Sequence, residues 1–273
     1  MNREMRDKIA GAIYGFVIGD AMGATTEFMA AKQIELKYGQ VTDIIGGGWL
    51  SIKAGNVTDD TQMTICVMKA LMKTLHKNDI FQFVKECRKE FIRWYKSGPI
   101  DIGGQCSVAI NQMMSGRFMT YRNDDALGNG SLMRAMPCAL LNEPVLNELQ
   151  GIMTHNNSGC SQAIQIYSSL IQNYINGNLY TGDKKSILEP SGYVWNTLNN
   201  SIYWSCKDSF EEAIIGAVNH GGDADTIAAI TGSLAGAKFG YNTIPEKWIN
   251  QLNPNVKEFL EKFKNFVFSY LQI

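Results

Sequence analysis

Several things are missing from this chain, and each absence removes a class of function. Its six cysteines, at 66, 87, 106, 138, 160 and 206, form no C-x-x-C pair. Most sit in apolar helical stretches, so they are expected as buried free thiols in a reducing compartment, which points to the cytoplasm. No apolar run reaches the ~18 residues of a membrane-spanning helix, so no membrane partner is expected. Lysine and arginine form no long block and the net charge is -1, which argues against a nucleic-acid surface. Strand-like alternation is nearly absent, residues 41–45 being the one weak candidate. No repeat of fixed period occurs, and no stretch reads as an interdomain linker. The opening segment MNREMRDKIAGAIYGFVIGDAMGA passes from charged to apolar like a signal peptide. Glycines interrupt it, Asp20 ends it and no cleavage site follows, so it is expected to be a core helix.

What the chain does have is apolar residues at helical spacing. Its 273 residues, 45% of them hydrophobic, suffice for one large core. Met63, Val67, Leu71 and Leu75 follow a three-four rhythm, as do Ile80, Phe83, Val84, Cys87, Phe91, Trp94 and Tyr95. Further helices are expected over 104–114, 158–176, 209–219, 226–239 and 256–271, with Ser209-Phe-Glu-Glu212 as a capping box. Loops are expected at 46–58, 97–104, 123–130 and 176–191. The expectation is one all-α domain, residues 1–273, and a monomer.

Two helices carry rows of glycine. Gly11, Gly15, Gly19 and Gly23 recur every four residues, as do Gly232, Gly236 and Gly240. Each glycine inside a helix costs about 1 kcal/mol relative to alanine. Close approach of two helix backbones along such a ridge offsets that cost through dispersion. Two tightly packed central helices are therefore expected, against each other in an antiparallel or crossed pairing. The first should end near Glu27 and the second begin at Thr226, bringing Glu27 towards Asp223 and Asp225.

The acidic residues are grouped twice in the same way: Thr58-Asp59-Asp60, and Gly221-Gly222-Asp223-Ala224-Asp225-Thr226. Helix capping could account for either group alone. Capping needs one side chain, however, whereas each group offers two carboxylates and a hydroxyl. An EF-hand does not fit, since glycine and glutamate are missing at the sixth and twelfth loop positions. Converging carboxylates repel one another unless a cation lies between them. With oxygen donors alone, the natural occupant is Mg²⁺ or Mn²⁺, and two ions could share the set. Glu27 is a further candidate, as a ligand through water or as a general base.

The segment Leu127-Gly128-Asn129-Gly130-Ser131-Leu132-Met133-Arg134 could present backbone N–H groups to a phosphate at a helix start. It has neither the lysine of a P-loop nor a third glycine, so an ordinary turn explains it better when it is taken alone. Of the three histidines, His76 reads as a surface residue, His155 as a helix cap, and His220 as a neighbour of the second acidic group.

Taken together these segments resemble the ADP-ribosylglycohydrolase family. The matching stretches are Gly11–Gly23, Thr58-Asp-Asp-Thr-Gln-Met63, Gly128-Asn-Gly-Ser-Leu-Met-Arg134, Thr154-His155 and Gly221-Gly-Asp-Ala-Asp-Thr226, in family order over roughly residues 8 to 240. The resemblance implies a single compact orthogonal helical domain with two Mg²⁺ or Mn²⁺ ions beneath an ADP-ribose cleft. Its implied metal ligands are Thr58, Asp59, Asp60, Asp223, Asp225 and Thr226, with Glu27 beside them. It further implies that Asn129, Gly130, Ser131 and Met133 hold the diphosphate and adjacent ribose, and that His155 contacts the ligand. Asp101 resembles an aspartate near the scissile bond of arginine-directed members. The following Gly104-Gln105-Cys106 departs from the threonine-rich continuation of that pattern, which leaves substrate preference open. The implied activity is hydrolysis of the C1″ bond of ADP-ribose, with Glu27 or Asp60 as general base and Asp101 helping the acceptor leave.

Two other all-α metal enzymes fit less well. Isoprenoid synthases place the carboxylates of their first cluster three or four positions apart on a helix, which Asp59-Asp60-Thr-Gln-Met63 does not supply, and the Glu-x-x-His of di-iron bundles does not occur. A non-catalytic ADP-ribose-binding relative would be expected to lose ligands, yet all six positions are intact. The partner is expected to be an ADP-ribosylated protein or a small ADP-ribose conjugate. Asp101 favours a guanidinium acceptor, against serine, a nucleobase or an O-acetyl group.

Overall fold

The computed structural model describes residues 2–77, 79–182 and 186–273. Part of the loop expected at 176–191 lies outside them. The apolar periodicities become helices close to where they were expected. Thirteen α-helices occur among the described residues: α1 (Asn2–Gly23), α2 (Ala31–Tyr38), α3 (Asp59–Thr74), α4 (Ile80–Lys96), α5 (Gly104–Met114), α6 (Met136–Leu140) and α7 (Pro144–Ile152), then α8 (Ser158–Ile175), α9 (Val194–Ser205), α10 (Phe210–His220), α11 (Ala224–Phe239), α12 (Glu246–Gln251) and α13 (Pro254–Tyr270). No strand forms among these residues, only isolated bridges, so the fold class is all-α as expected. At 41–45 the chain is irregular: the Asn219 side chain pairs with the N–H and C=O of Val41 at 2.9 and 2.8 Å, in place of a neighbouring strand.

Packing divides the chain into two compact units. One holds Met1–Thr58, Leu170–Gly192 and Asn196–Ile273; the other holds Asp59–Ser169 and Tyr193–Trp195.

The first unit is organised by α1 and α11. From Lys8 to Gly23 every residue of α1 is buried, and α11 is buried from Ala224 to Ala237. Their glycine rows face each other in antiparallel register. A Cβ on Gly11 would lie 2.3 Å from the Gly236 carbonyl oxygen, one on Gly15 2.2 Å from that of Gly232, and one on Gly23 2.5 Å from that of Ala224. The backbones themselves are thus in contact, as the spacing predicts. Helix α10 packs on α11, and α13 on α1, where the Tyr14 hydroxyl donates to Glu261 at 2.5 Å.

In the second unit α3 packs on α4 and α4 on α5. The expected stripes supply the core: Met63, Val67 and Leu71 on α3 and Phe83, Cys87 and Phe91 on α4 are all buried. Ile80 departs from its stripe and is 49% exposed. It is the first residue of α4, directly after Asp79, whose carboxylate caps the helix by accepting from the Phe81 and Gln82 N–H groups. Buried Glu90 takes Lys73 at 2.6 Å and Arg93 at 2.8 Å. Burial opposes its ionisation, but these cations win and hold its carboxyl below the usual range.

Some boundaries differ from expectation. Helix α1 stops at Gly23, four residues before Glu27, and residues 24–28 form turns. Ser209 caps α10 by accepting from the Glu212 N–H, one half of the expected capping box. Helix α9 was not foreseen: its asparagines, serines and threonine have weak helix propensity, and packing of Val194, Leu198 and Ile202 overrides it. All six cysteines are free; five are buried, and Cys206, one residue past α9, is exposed, contrary to expectation. No described helix is long and apolar enough to cross a membrane.

The ridge makes a direct prediction about stability. An alanine at Gly232 would gain about 1 kcal/mol of helix propensity, but its Cβ would sit 2.0 Å from the Gly15 oxygen. Gly232→Ala is expected to lower unfolding free energy by about 2 kcal/mol, since overpacking of backbone cannot relax by a rotamer change. Gly104→Ala, where a Cβ meets nothing within 4 Å, should stay within about 0.5 kcal/mol of the parent. Urea denaturation of both variants checks this; equal stability of Gly232→Ala and parent would contradict it.

Candidate active site

The close approach of α1 and α11 brings the C-terminal end of the one and the N-terminal end of the other to the same place. Past Gly23 the chain turns, and the buried Thr26 hydroxyl donates to the Val218 carbonyl at 2.7 Å. The Phe28 N–H donates to Gly222 O at 2.6 Å, and the Gly222 N–H returns a bond to Met29 O at 2.8 Å. Residues 26–30 are thereby stitched to 218–222, the segment leading into α11. One carboxylate oxygen from each of Glu27, Asp223 and Asp225 lies within 4.8 Å of the others. Glu27 and Asp225 are buried, at 5% and 2% exposure, and Asp223 is partly so.

This arrangement decides the capping question for the second acidic group. Asp223 stands at the N-cap position of α11 yet makes no side-chain cap bond. Asp225 accepts from the N–H of its neighbour Thr226 at 2.8 Å. Three carboxylates drawn into one buried cluster carry mutual repulsion that an N-cap would not require. Oxygen donors at this separation suit a hard divalent cation.

Thr58 closes the first unit. Its N–H and hydroxyl both reach the fully buried Asp20 carboxylate, at 3.1 and 2.9 Å to one oxygen. Asp20 was not among the expected site residues. A carboxylate inside the glycine-ridged apolar run was the available signal, because a buried charge needs a partner.

In the second unit, Asp59 and Asp60 open α3 and both are buried. The Gly103 N–H donates to Asp59 at 3.2 Å, and Asp101 is hydrogen-bonded to the Asp59 side chain. Burial raises the Asp101 pKa, which that hydrogen bond only partly offsets. Burial thus favours the protonated form of Asp101 more than in an exposed aspartate.

The Gly128–Met133 segment forms a short 3₁₀ turn over Asn129–Ser131. Asn129, Ser131 and Met133 are buried. His155 lies directly against the turn: a Cβ on Gly130 would fall 2.7 Å from its ring. Fully buried Arg134 holds the turn in place, donating to the carbonyls of Gly130 and of Gln150 (2.8 Å), and to the Thr154 hydroxyl at 2.7 Å. That hydroxyl lies 2.8 Å from His155 Nδ1. Gln105, in the stretch that departs from the family pattern, donates to Thr154 O at 2.9 Å. The expected loop residues and His155 are thus neighbours, and Arg134 is the organiser that sequence reading passed over.

The sequence profile of the ADP-ribosylglycohydrolase family matches residues 1–190 and 183–270. The chain belongs to the ADP-ribosylglycohydrolase family. It is similar to the ADP-ribosyl-[dinitrogen reductase] glycohydrolase of Rhodospirillum rubrum, 34% identical over 93% of this chain and 92% of that protein. A second relative is the ADP-ribosylarginine hydrolase Tri1 of Serratia proteamaculans, 29% identical over 91% of this chain and 76% of that one. A solved structure described as an ADP-ribosylglycohydrolase-related protein complex shares the fold, with a TM-score of 0.82 at 24% identity over 99% of both chains. As a family member the protein is a hydrolase.

The remaining histidines stand apart from this chemistry. His76 is exposed, as expected. His220 packs edge-on against Trp204 with ring centroids 5.9 Å apart, and burial lowers its pKa.

Burial, reinforced by the Arg134 charge, lowers the His155 pKa from 6.5 to about 3. His155 is therefore neutral throughout the physiological range. Because its folded pKa is depressed, protons bind the unfolded state first. The stability tied to the neutral ring is fully present above about pH 6.5 and is lost as pH falls towards about 3. Between pH 6.5 and 5 the parent should lose stability with a slope of up to about 1.4 kcal/mol per pH unit more than His155→Gln. Denaturation curves over that interval check this; parallel slopes would contradict it.

Proposed function

We propose that this hydrolase removes ADP-ribose from an arginine side chain by cleaving the C1″ bond to the guanidinium, and that it depends on divalent cations. The observation that carries the reading is the buried Glu27–Asp223–Asp225 cluster. The relatives named for acting on ADP-ribosyl-[dinitrogen reductase] and ADP-ribosylarginine support the acceptor, and an ADP-ribosylated protein is the natural substrate.

Glu27, Asp223 and Asp225 would hold the cation. The family resemblance adds Thr58, Asp59, Asp60 and Thr226 to the ligands and favours two ions, Mg²⁺ or Mn²⁺. When bound, such ions supply a grip on the ribose hydroxyls and lower the pKa of a coordinated water. The chain's own groups do the rest. Glu27 or Asp60 takes the proton from the attacking water. The carboxylates stabilise the positive charge that develops on the ribose as the bond to the acceptor breaks. Asp101 gives a proton to the departing guanidine, and the carboxylate left behind pairs with the guanidinium. The turn at Asn129–Ser131 takes the diphosphate, with Met133 and His155 against the ligand. A neutral His155 can offer one N–H without bringing a second charge.

We take residues 1–273 as one functional domain, acting as a monomer in the cytoplasm; the family match spans both packing units, and the buried free thiols accord with a reducing compartment.

The test is a panel of mono-ADP-ribosylated substrates that differ only in the linked group: arginine, serine, a nucleobase and O-acetyl. Release of ADP-ribose from the arginine conjugate is expected, stopping on chelation and returning with Mg²⁺ or Mn²⁺. Asp60→Ala should lose at least 100-fold in kcat/KM, the equivalent of about 2.7 kcal/mol. Hydrolysis of another conjugate alone would move the acceptor. Full chelator resistance, or full activity in Asp60→Ala, would overturn the metal mechanism.

A further inference from the structure

Residues 46–52 form a loop with no assigned role, and it is expensive to build. Gly46, Gly47, Gly48 and Ser51 all have positive φ, the last at 53°. A non-glycine residue in that region typically costs on the order of 1 kcal/mol or more, and such strain concentrates at functional sites. The loop is also pinned. Gly47 and Ile52 exchange both backbone hydrogen bonds, at 2.8 and 3.0 Å. The Thr25 hydroxyl donates to Gly46 O at 3.1 Å. Gly48 presses so close to the end of α1 that a Cβ there would lie 2.1 Å from the Ala24 oxygen.

What this construction delivers is Trp49. Its indole N–H donates to Glu27 Oε2 at 2.5 Å. Its ring packs against Phe28, centroids 5.2 Å apart, and Phe28 itself has φ 60° and is tied through its N–H to Gly222. Trp49 and Phe28 are 52% and 66% exposed. Burial of the rings therefore does not explain why the loop holds them there. The indole hydrogen bond to a buried carboxylate does.

We propose that Trp49 is a positioning residue for Glu27. By occupying Oε2, the indole fixes the carboxylate's rotamer, with an oxygen of that carboxylate within 4.8 Å of oxygens of Asp223 and Asp225. A neutral donor does this without cancelling the negative charge a cation needs, which Lys or Arg would do. The inference rests on the reading of Glu27, Asp223 and Asp225 as a cation site, and its test separates the two.

Mn²⁺ affinity by isothermal titration, kcat and KM on the arginine conjugate, and Tm are measured for the parent, Trp49→Phe, Glu27→Ala and the double variant. Trp49→Phe keeps a flat ring and removes the donor. Loss of an outer partner of a metal ligand typically costs on the order of 10- to 100-fold in affinity or activity. Trp49→Phe should therefore weaken Mn²⁺ binding and lower kcat by at least tenfold, with KM within about twofold and Tm unchanged. On the Glu27→Ala background the same substitution should have no further effect on Mn²⁺ affinity, because the group it acts through is gone. Parent-like Mn²⁺ affinity and kcat in Trp49→Phe would overturn the proposal. So would additive losses in the double variant, or a fall in Tm that accounts for the whole defect. A parent that neither binds Mn²⁺ nor releases ADP-ribose would instead defeat the cation-site reading itself.

Discussion

Backbone-to-backbone contact between α1 and α11 is the constraint on which the first unit depends. Side chains of ordinary size hold helix axes 8–10 Å apart; here glycines on both faces remove them. Once Gly11 faces Gly236, Gly15 faces Gly232 and Gly23 faces Ala224, the register is fixed, because a slide along either helix would drive a Cβ into a carbonyl. The C-terminal end of α1 and the N-terminal end of α11 must then lie together. Glu27 follows the one and Asp223 and Asp225 begin the other. A packing rule thus becomes a chemical arrangement of three carboxylates.

That arrangement has a cost which the fold meets locally. The cluster's segment is stitched by the Phe28–Gly222 and Gly222–Met29 hydrogen bonds, and Trp49 donates to Glu27 from a loop in strained conformation. Asp20 is treated likewise, receiving both donors of Thr58. In the second unit, Arg134 plays the corresponding part. Its guanidinium is wholly buried and donates through its two terminal nitrogens to two carbonyls and a hydroxyl, holding the Asn129–Ser131 turn against His155. Both units therefore use polar side chains to hold their loops, where hydrophobic packing would fix position less sharply.

Much of this was legible in the sequence, for identifiable reasons. Glycine every fourth residue has one economical explanation in a helix, so the α1–α11 pairing and the approach of Glu27 to Asp223 and Asp225 could be read directly. The stripes of α3 and α4 were equally plain. The ends were harder: Glu27 lies in a turn rather than on α1, because Thr26 and Phe28 bond to residues some 190 positions away, which no local pattern reveals. Helix α9 was hidden by its asparagines, since its formation depends on tertiary burial. Trp49 and Arg134 were missed because their importance lies in what their N–H groups touch. The triple glycine before Trp49 was the visible trace, and a lone arginine in the apolar stretch from Leu132 to Leu141 was the other.

The central claim is that the glycine-ridged pair assembles a divalent-cation site from Glu27, Asp223 and Asp225. Its most direct test is an anomalous difference map from crystals of the protein grown with Mn²⁺. The account predicts a manganese peak coordinated by the carboxylates of Asp223 and Asp225, with Glu27 bound directly or through one water. A strong manganese peak elsewhere, with none at these three carboxylates, would contradict it.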